Sequence, residues 1–358
     1  MPPWPCATAS PRNEQTGGLP LTIATGLIGY GLGGAAFHAP LIQACSRLSL
    51  EAIVTSREVP DGIAAVRDPL ALIAVPTVKL IVISTPNDQH FPLAKAALEA
   101  GKHVVIDKPF TVTVAEADAL IALARKKKRL LAAFHNRRWD GDFLTVRKLV
   151  ESGRLGEVVL CEMHWDRFRP AIRPGWKDNP AQGASLLNDL GPHLIDQALL
   201  LFGKPDALVA DVVAQRPASE VDDYYDLVLH YSRRRVRLCA SVLVAAPRPR
   251  FALHGSAASF VKYGLDPQES QLQSGLRLGD PGYGVEDPAQ HGLLTDAGGR
   301  TERIVTEPGR YHDYYEAVAA AILYRDPPPV DPADARAGLA IIEAARQSAS
   351  EGRRIALA

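Results

Sequence analysis

The feature that most limits what this chain can fold into is the stretch 21–40, LTIATGLIGYGLGGAAFHAP. An apolar run from Ile23 to Ile28 leads straight into Gly29, Gly31 and Gly34 at G-x-G-x-x-G spacing. Three glycines alone are a loose pattern, and a glycine-rich turn in another α/β protein would read the same. Context sharpens it: an apolar strand stands before the turn, a helix-compatible segment follows, and a second strand comes at 51–55, as a dinucleotide-binding βαβ unit requires. Gly29 then permits the tight turn and Gly31 lets backbone N–H groups approach a pyrophosphate. Gly34 lets the helix lie close on the sheet, its positive end toward the phosphate. Gly29, Gly31, Leu32 and Gly34 are the candidate contacts of this turn.

Short apolar runs continue to alternate with helical patterns, which predicts a doubly wound parallel sheet with strands at 21–28, 51–55, 79–84, 103–106 and 130–134. The breaker Thr85-Pro86-Asn87-Asp88 can cap the helix that stops at Gly101. A helix over 112–128 ends in Lys126-Lys127-Lys128-Arg129, a cluster that suits the negative end of a helix dipole as a solvated face. After Trp139 a helix through 143–151 leads into β-rich runs at 157–165, 207–214, 225–231, 235–244 and 251–261, so the second half should hold an open, mainly antiparallel sheet. The stretch 264–300 reads as loop, either a surface excursion or a cover. A last helix has Asp331 as N-cap, Pro332 at its first position and Gly352 as its stop. The division expected is a disordered tail at 1–18, a Rossmann domain at 19–137 and an α/β domain at 138–358.

Charge and cysteine usage exclude several partners. The 40 basic residues balance 40 acidic ones, so neither nucleic acid nor an anionic membrane surface is expected to bind. The longest apolar stretch, 70–83, is broken by Pro76 and Lys79 well short of a membrane span. Cys6, Cys45, Cys161 and Cys239 lie far apart with no C-x-x-C pair, which fits reduced thiols in the cytoplasm and no zinc site.

Three groups of residues carry chemistry. About 20 residues beyond the glycine turn, Thr55-Ser56-Arg57 replaces the carboxylate that usually holds an NAD ribose, and a serine with a guanidinium suits a 2′-phosphate. That predicts NADP, with NAD possible; the alternative is an exposed Arg57 and a ribose held by Glu58. Lys108 stands with Asp107 and Pro109 at the carboxyl edge of the strand 103–106, where a cation stabilises a developing alkoxide. On one helix face Asp189, His193 and Asp196 fall at i, i+4 and i+7, giving an imidazole base flanked by carboxylates. No second histidine stands at ligand spacing, so no metal is expected.

The glycine turn, the lysine-proline strand end and the D-x-x-x-H-x-x-D helix, in this order, resemble the Gfo/Idh/MocA family of nicotinamide-dependent oxidoreductases from about residue 21 to the C-terminus. The strings FHAPLI (37–42), TPNDQHFPLAKAALEAGKHVVIDKPFT (85–111), FHNRRWDGDFLT (134–145) and HGSAASFVKYGLDPQE (254–269) are similar to its NADP-dependent scyllo-inositol dehydrogenases. The resemblance implies Lys108 as catalytic lysine before a cis-Pro109, His193 as acid/base and Asp189 as its substrate-binding partner. It places Thr85, Pro86, Asn87 and His90 at the nicotinamide ribose and Trp176 near the nicotinamide. Asn136, Arg137 and Arg138 become polyol or cofactor contacts, or else structural ion pairs. Asp107 stands where glutamate is commoner. The implied function is hydride exchange between a cyclic polyol or sugar, scyllo-inositol first, and NADP, in a homodimer or homotetramer built through the open sheet. Alternatives are another sugar or keto-sugar substrate, or a cofactor-sensing regulator without chemistry. The latter need not keep Lys108, Asp189 and His193.

Overall fold

Residues buried on both sides of a sheet must be apolar throughout, and the early runs meet that demand. A computed structural model describes residues 22–172 and 183–357. The first half forms β1 (Ile23–Ile28), β2 (Leu48–Val54), β3 (Ala64–Val66), β4 (Leu80–Ile83), β5 (His103–Ile106) and β6 (Leu131–Ala133), and every residue of β4 and β6 is buried. All pairings are parallel, in the order β3-β2-β1-β4-β5-β6. The order reverses between β1 and β4, so the crevice for a ligand opens at their carboxyl ends.

The connecting helices are α1 (Ala39–Ala44), α2 (Pro69–Ala74), α3 (His90–Glu99) and α4 (Val114–Lys127). Their ends follow local chemistry. Thr113 and Glu116 make a reciprocal capping box at the start of α4, and the basic residues Arg125, Lys126 and Lys127 occupy its last turn, where the dipole favours them. Lys127 Nζ donates to Glu99 O at 3.0 Å, so part of that cluster ties two helix ends together.

The second half adds α5 (Gly141–Glu151), β7 (Val158–His164), α6 (Leu186–Phe202), β8 (Ala207–Val213), β9 (Tyr224–His230), β10 (Arg235–Ser241), β11 (Phe251–Gly255) and β12 (Ala258–Lys262). It ends with α7 (Gln268–Gln273), β13 (Gly292–Asp296), β14 (Thr301–Ile304), α8 (His312–Tyr324), α9 (Pro332–Glu351) and β15 (Ile355–Ala356). The nine strands order as β14-β13-β12-β11-β7-β10-β9-β8-β15. All neighbours are antiparallel except β7 with β10. Asp331 caps α9 by accepting from Ala333 N, and Gly352 ends it at φ 61°, as the sequence led one to expect.

Three segments depart from expectation. β3 was not anticipated: Ala64, Ala65 and Val66 are exposed or half-buried and give no apolar alternation. The run 251–261 is two strands folded back at Ser256-Ala257, with Leu253 opposite Phe260. The stretch 264–300 is not only loop. It contains α7 and β13, and β13 turns at Gly298-Gly299 into β14. A six-residue helix and a short edge hairpin that buries only Gly292 and Leu294 cover too little to print a period.

Two apolar cores result, and the chain crosses between them. Leu187, Leu190 and Leu194 of α6 pack on the nine-stranded sheet with Ile341, Ile342 and Ala345 of α9. Tyr314, Tyr315, Val318 and Ala319 of α8, with Ala335 and Leu339 of α9, pack instead against the parallel sheet. Phe134 meets Tyr314 edge-on at 4.9 Å between ring centroids. One helix, α9, therefore belongs to both cores. Among the described residues no helix is long and apolar enough to cross a membrane.

Candidate active site

The glycine turn is shaped by contacts that only glycine allows. Gly29 has φ +99°, and a Cβ there would lie 2.1 Å from Ser84 O at the end of β4; at Gly34 it would lie 2.2 Å from Gly29 O. Gly33, which the spacing did not single out, would bring a Cβ to 2.7 Å from Ser84 Oγ and 2.8 Å from Asp107 Oδ2. Gly31 differs: a Cβ there meets nothing within 4 Å, and neighbouring Leu32 is exposed. The turn thus closes on the protein at three glycines and stays open at the fourth. Beyond it, residues Gly34–His38 form a widened helical turn in which Ala39 N–H reaches back to Gly34 O.

The surrounding donors suit an anionic dinucleotide. Thr85 Oγ1, just past β4, is enclosed with no hydrogen-bond partner among the described residues, an orphan a ribose or phosphate oxygen would satisfy. Ser56 and Arg57 are exposed at the tip of β2, where Arg57 N donates to Thr55 Oγ1 at 3.0 Å. Arg67, unmarked in the sequence, donates to Thr55 O at 3.1 Å and brings a second guanidinium to that tip. Pro86 precedes a short helical turn over Asn87–Gln89, and Asn87 Nδ2 donates to Gly183 O at 3.0 Å.

His90 has a different part from the one expected of it. Its ring is fully buried, with Nδ1 2.7 Å from Pro109 O and Nε2 3.0 Å from Thr85 O. Both nitrogens are occupied by backbone, so the side chain ties the β4 loop to the β5 loop and has no atom left for a ligand.

Lys108 and the helix α6 meet across the crevice. The Lys108–Pro109 peptide is cis. Lys108 Nζ lies 2.6 Å from Asp189 Oδ1 and 2.7 Å from Asp189 O, and Arg167 Nη1 lies 3.4 Å from Asp189 Oδ2. Asp107 turns the other way, receiving Ser84 Oγ at 3.0 Å and lying 3.4 Å from His38 Nε2. Burial raises its pKa, but the His38 contact and the charges of Lys108 and His90 prevail and hold it well below the carboxylate range. Asp107 therefore anchors the loop as an anion.

His193 sits one helical turn beyond Asp189 and is almost fully buried. Its ring stacks on Trp165 at 5.6 Å and 27°, and Nδ1 is enclosed with no hydrogen-bond partner among the described residues. Burial first, then the charges of Lys108, Arg137 and His135, push its pKa well below the ordinary imidazole value against the pull of Asp189. The imidazole is neutral at physiological pH and able to accept a proton.

The third member of that helix pattern does not join the site. Asp196 accepts from Arg138 Nε at 2.8 Å and Nη2 at 2.6 Å, and Asp334 adds a 3.0 Å contact to the same guanidinium. Arg137 is likewise engaged, by Tyr311 Oη, Glu269 and Asp140. Of the sequence's two readings of these arginines, the geometry matches the structural ion pair. Asn136 is buried beside them. Trp176 lies outside the described residues, as do the tail and Cys6; Cys45, Cys161 and Cys239 are buried free thiols. Among the described residues no cluster could hold a metal ion.

Residues 23–135 match a family described as an oxidoreductase family, NAD-binding Rossmann fold, and residues 147–357 match its C-terminal alpha/beta domain. The uncharacterized oxidoreductase YdgJ of Escherichia coli is 45% identical, covering 94% of this chain and 99% of its own. The scyllo-inositol 2-dehydrogenase (NADP(+)) IolW of Bacillus subtilis is 37% identical over 94% and 96%. The solved structure of YPO2259 from Yersinia pestis, 42% identical, superposes with a TM-score of 0.89 over 94% and 97% of the two chains.

Proposed function

Because the chain belongs to the Gfo/Idh/MocA family of oxidoreductases, we propose that it is an NADP-dependent dehydrogenase of a cyclic polyol, with scyllo-inositol and its ketone scyllo-inosose as the substrate pair. The observation that carries the reading is the Lys108 ammonium held 2.6 Å from Asp189 Oδ1, one helical turn from a neutral, buried His193. A cofactor sensor has no need of such a set.

Each group then has a task. His193 takes the hydroxyl proton as the C–O bond becomes a carbonyl, and Lys108 donates to the oxygen while negative charge develops on it. Asp189 accepts from a neighbouring hydroxyl, which fixes the ring that presents its C–H bond. A bound nicotinamide supplies the acceptor for the hydride. The open backbone at Gly31 and Leu32 receives the pyrophosphate and Thr85 Oγ1 a ribose oxygen. Arg57 with Ser56 receives the 2′-phosphate, with Arg67 as a reserve cation. Pro86, Asn87 and Pro109 shape the nicotinamide side of the crevice, and His90 holds that shape. Arg137 serves by position, and Asn136 is left as the polar group beside the polyol.

The name of the Bacillus subtilis relative supports the substrate and the cofactor preference. The reading extends to a cytoplasmic enzyme, in keeping with its free buried thiols. It also extends to a homo-oligomer formed through the nine-stranded sheet, where Val209, Val213 and Leu293 are exposed. The test is a set of initial rates for scyllo-inositol and myo-inositol with NADP⁺ and with NAD⁺. A marked preference for scyllo-inositol with NADP⁺ is expected. Turnover of neither inositol, with tight NADPH binding, would move the substrate to another ring.

A further inference from the structure

A catalytic histidine is ordinarily oriented by a hydrogen bond on its second nitrogen, which fixes ring plane and tautomer together. His193 lacks one. Its Nδ1 is enclosed without a partner, and among the described residues no carboxylate or carbonyl receives it. What faces the ring instead is Trp165, an indole buried to 2% exposure on the strand end of β7. The two rings lie 27° from parallel with centroids 5.6 Å apart.

The indole is itself immobilised by cations. The Arg137 guanidinium lies 4.9 Å and the Arg250 guanidinium 5.1 Å from its ring centroid, within the range of a cation–π attraction. Neither arginine is free to move away. Arg137 is engaged by Tyr311 Oη, Asp140 and Glu269. Arg250 donates to Gln197 Oε1 at 2.7 Å, and Gln197 Nε2 donates to Arg137 O at 3.0 Å. Gln197 stands four residues beyond His193 on α6, so helix, arginines and indole form one closed unit.

We infer that Trp165, clamped by Arg137 and Arg250, is the positioning residue for His193, its ring face setting the imidazole plane in place of a hydrogen-bonding orienter. The charged and titratable groups around the imidazole are Lys108 from the loop after β5, Arg137 and His135 from the segment after β6, and Asp189 from its own helix. Three of the four oppose a second positive charge. The inference rests on the acid/base role given to His193 above, and it deepens that role by naming what aims the base.

The experiment uses the full-length chain with Trp165→Phe, Trp165→Leu and His193→Gln. Phe keeps a stacking face; Leu keeps bulk and apolarity without one. Expected is a drop in kcat of about 10-fold or more for Trp165→Leu, with KM and NADPH affinity little changed, and near-complete rescue in Trp165→Phe. A readout independent of substrate is nitrogen-15 NMR of the histidines, with His193 identified by its loss in His193→Gln. The wild type should give one tautomer that does not titrate near neutral pH, and Trp165→Leu a mixture. Wild-type kcat and an unchanged imidazole signal in Trp165→Leu would overturn the inference. So would equal impairment of the Phe and Leu variants. Full activity in His193→Gln would instead remove the base assignment, while the NMR comparison still judged the stack.

Discussion

Lys108 Nζ and Asp189 Oδ1 are 2.6 Å apart although 81 residues separate them in the chain. The ammonium is held on the far helix by both the carboxylate and the backbone carbonyl of one residue. The pair is only partly exposed, where a fixed charge acts on a developing alkoxide more strongly than it would in water. Lys108→Met should therefore lower kcat by about 10²–10³-fold. NADPH binding, followed by fluorescence, should persist. Near-full turnover would dismiss the lysine from the chemistry.

Gly29 and Gly31 should fail in opposite ways. Alanine at 29 meets both a positive φ and a carbonyl oxygen 2.1 Å away, so Gly29→Ala should lose stability by more than the ~1–3 kcal/mol of backbone strain alone. Gly31→Ala meets no protein atom, so its melting temperature without cofactor should match the wild type while NADPH affinity falls. Thermal melts with and without NADPH separate the two.

Arg57→Ala should raise KM for NADPH by about 10–100-fold, the usual worth of a charge-assisted contact. KM for NADH should barely move. Equal effects on both cofactors would assign Arg57 to some task other than the 2′-phosphate.

The neutral state of His193 makes a pH prediction. Its pKa is depressed, so protonation and loss of the base occur only as pH falls well below 6.5. The acid limb of kcat/KM for oxidation should lie below that value. A limb at 6.5 or above would mean that the charges around the ring are not those described.

Asp266 gives a stability prediction of opposite sense. Burial raises its pKa from 3.8 to about 6, against hydrogen bonds from Gly141 N and Gln268. A raised folded pKa adds stability that is complete below 3.8 and lost as pH rises through about 6, an effect of roughly 3 kcal/mol. Asp266→Asn, which keeps an acceptor for Gly141 N, should flatten that slope between pH 4 and 7 in denaturant titrations.

Where the chain announces itself, it does so through backbone demands. Most of the parallel strands, the glycine turn and the Asp331 cap follow from local pattern, because burial on two faces, a positive φ or an unpaired first-turn N–H leaves few residue choices; Lys108 at a strand end and His193 four residues beyond Asp189 stand out as candidates by spacing alone. Gly33 escaped because its need for hydrogen comes from Ser84 and Asp107 in other segments. His90 looked like a ligand contact until both its carbonyl partners were brought to it by folding. Trp165 carried no local signal; only the meeting of β7 with α6 and two distant arginines gives it meaning. β3 and β14 are short and exposed and β13 buries only Gly292 and Leu294, so hydrophobic periodicity had little to register.

The return of α8 and α9 to the parallel sheet has a consequence for how the molecule is made. A ribosome delivers the six parallel strands well before Tyr311, Tyr314, Tyr315 and Leu339, which complete their core and emerge only after β7 to β14. Until then the apolar surface around Phe134 and His38 lacks the cover that Tyr314 and Tyr315 give it. The nascent protein must carry that open surface while β7 to β14 are made, a period in which chaperone protection would matter more than for a domain that closes on its own residues.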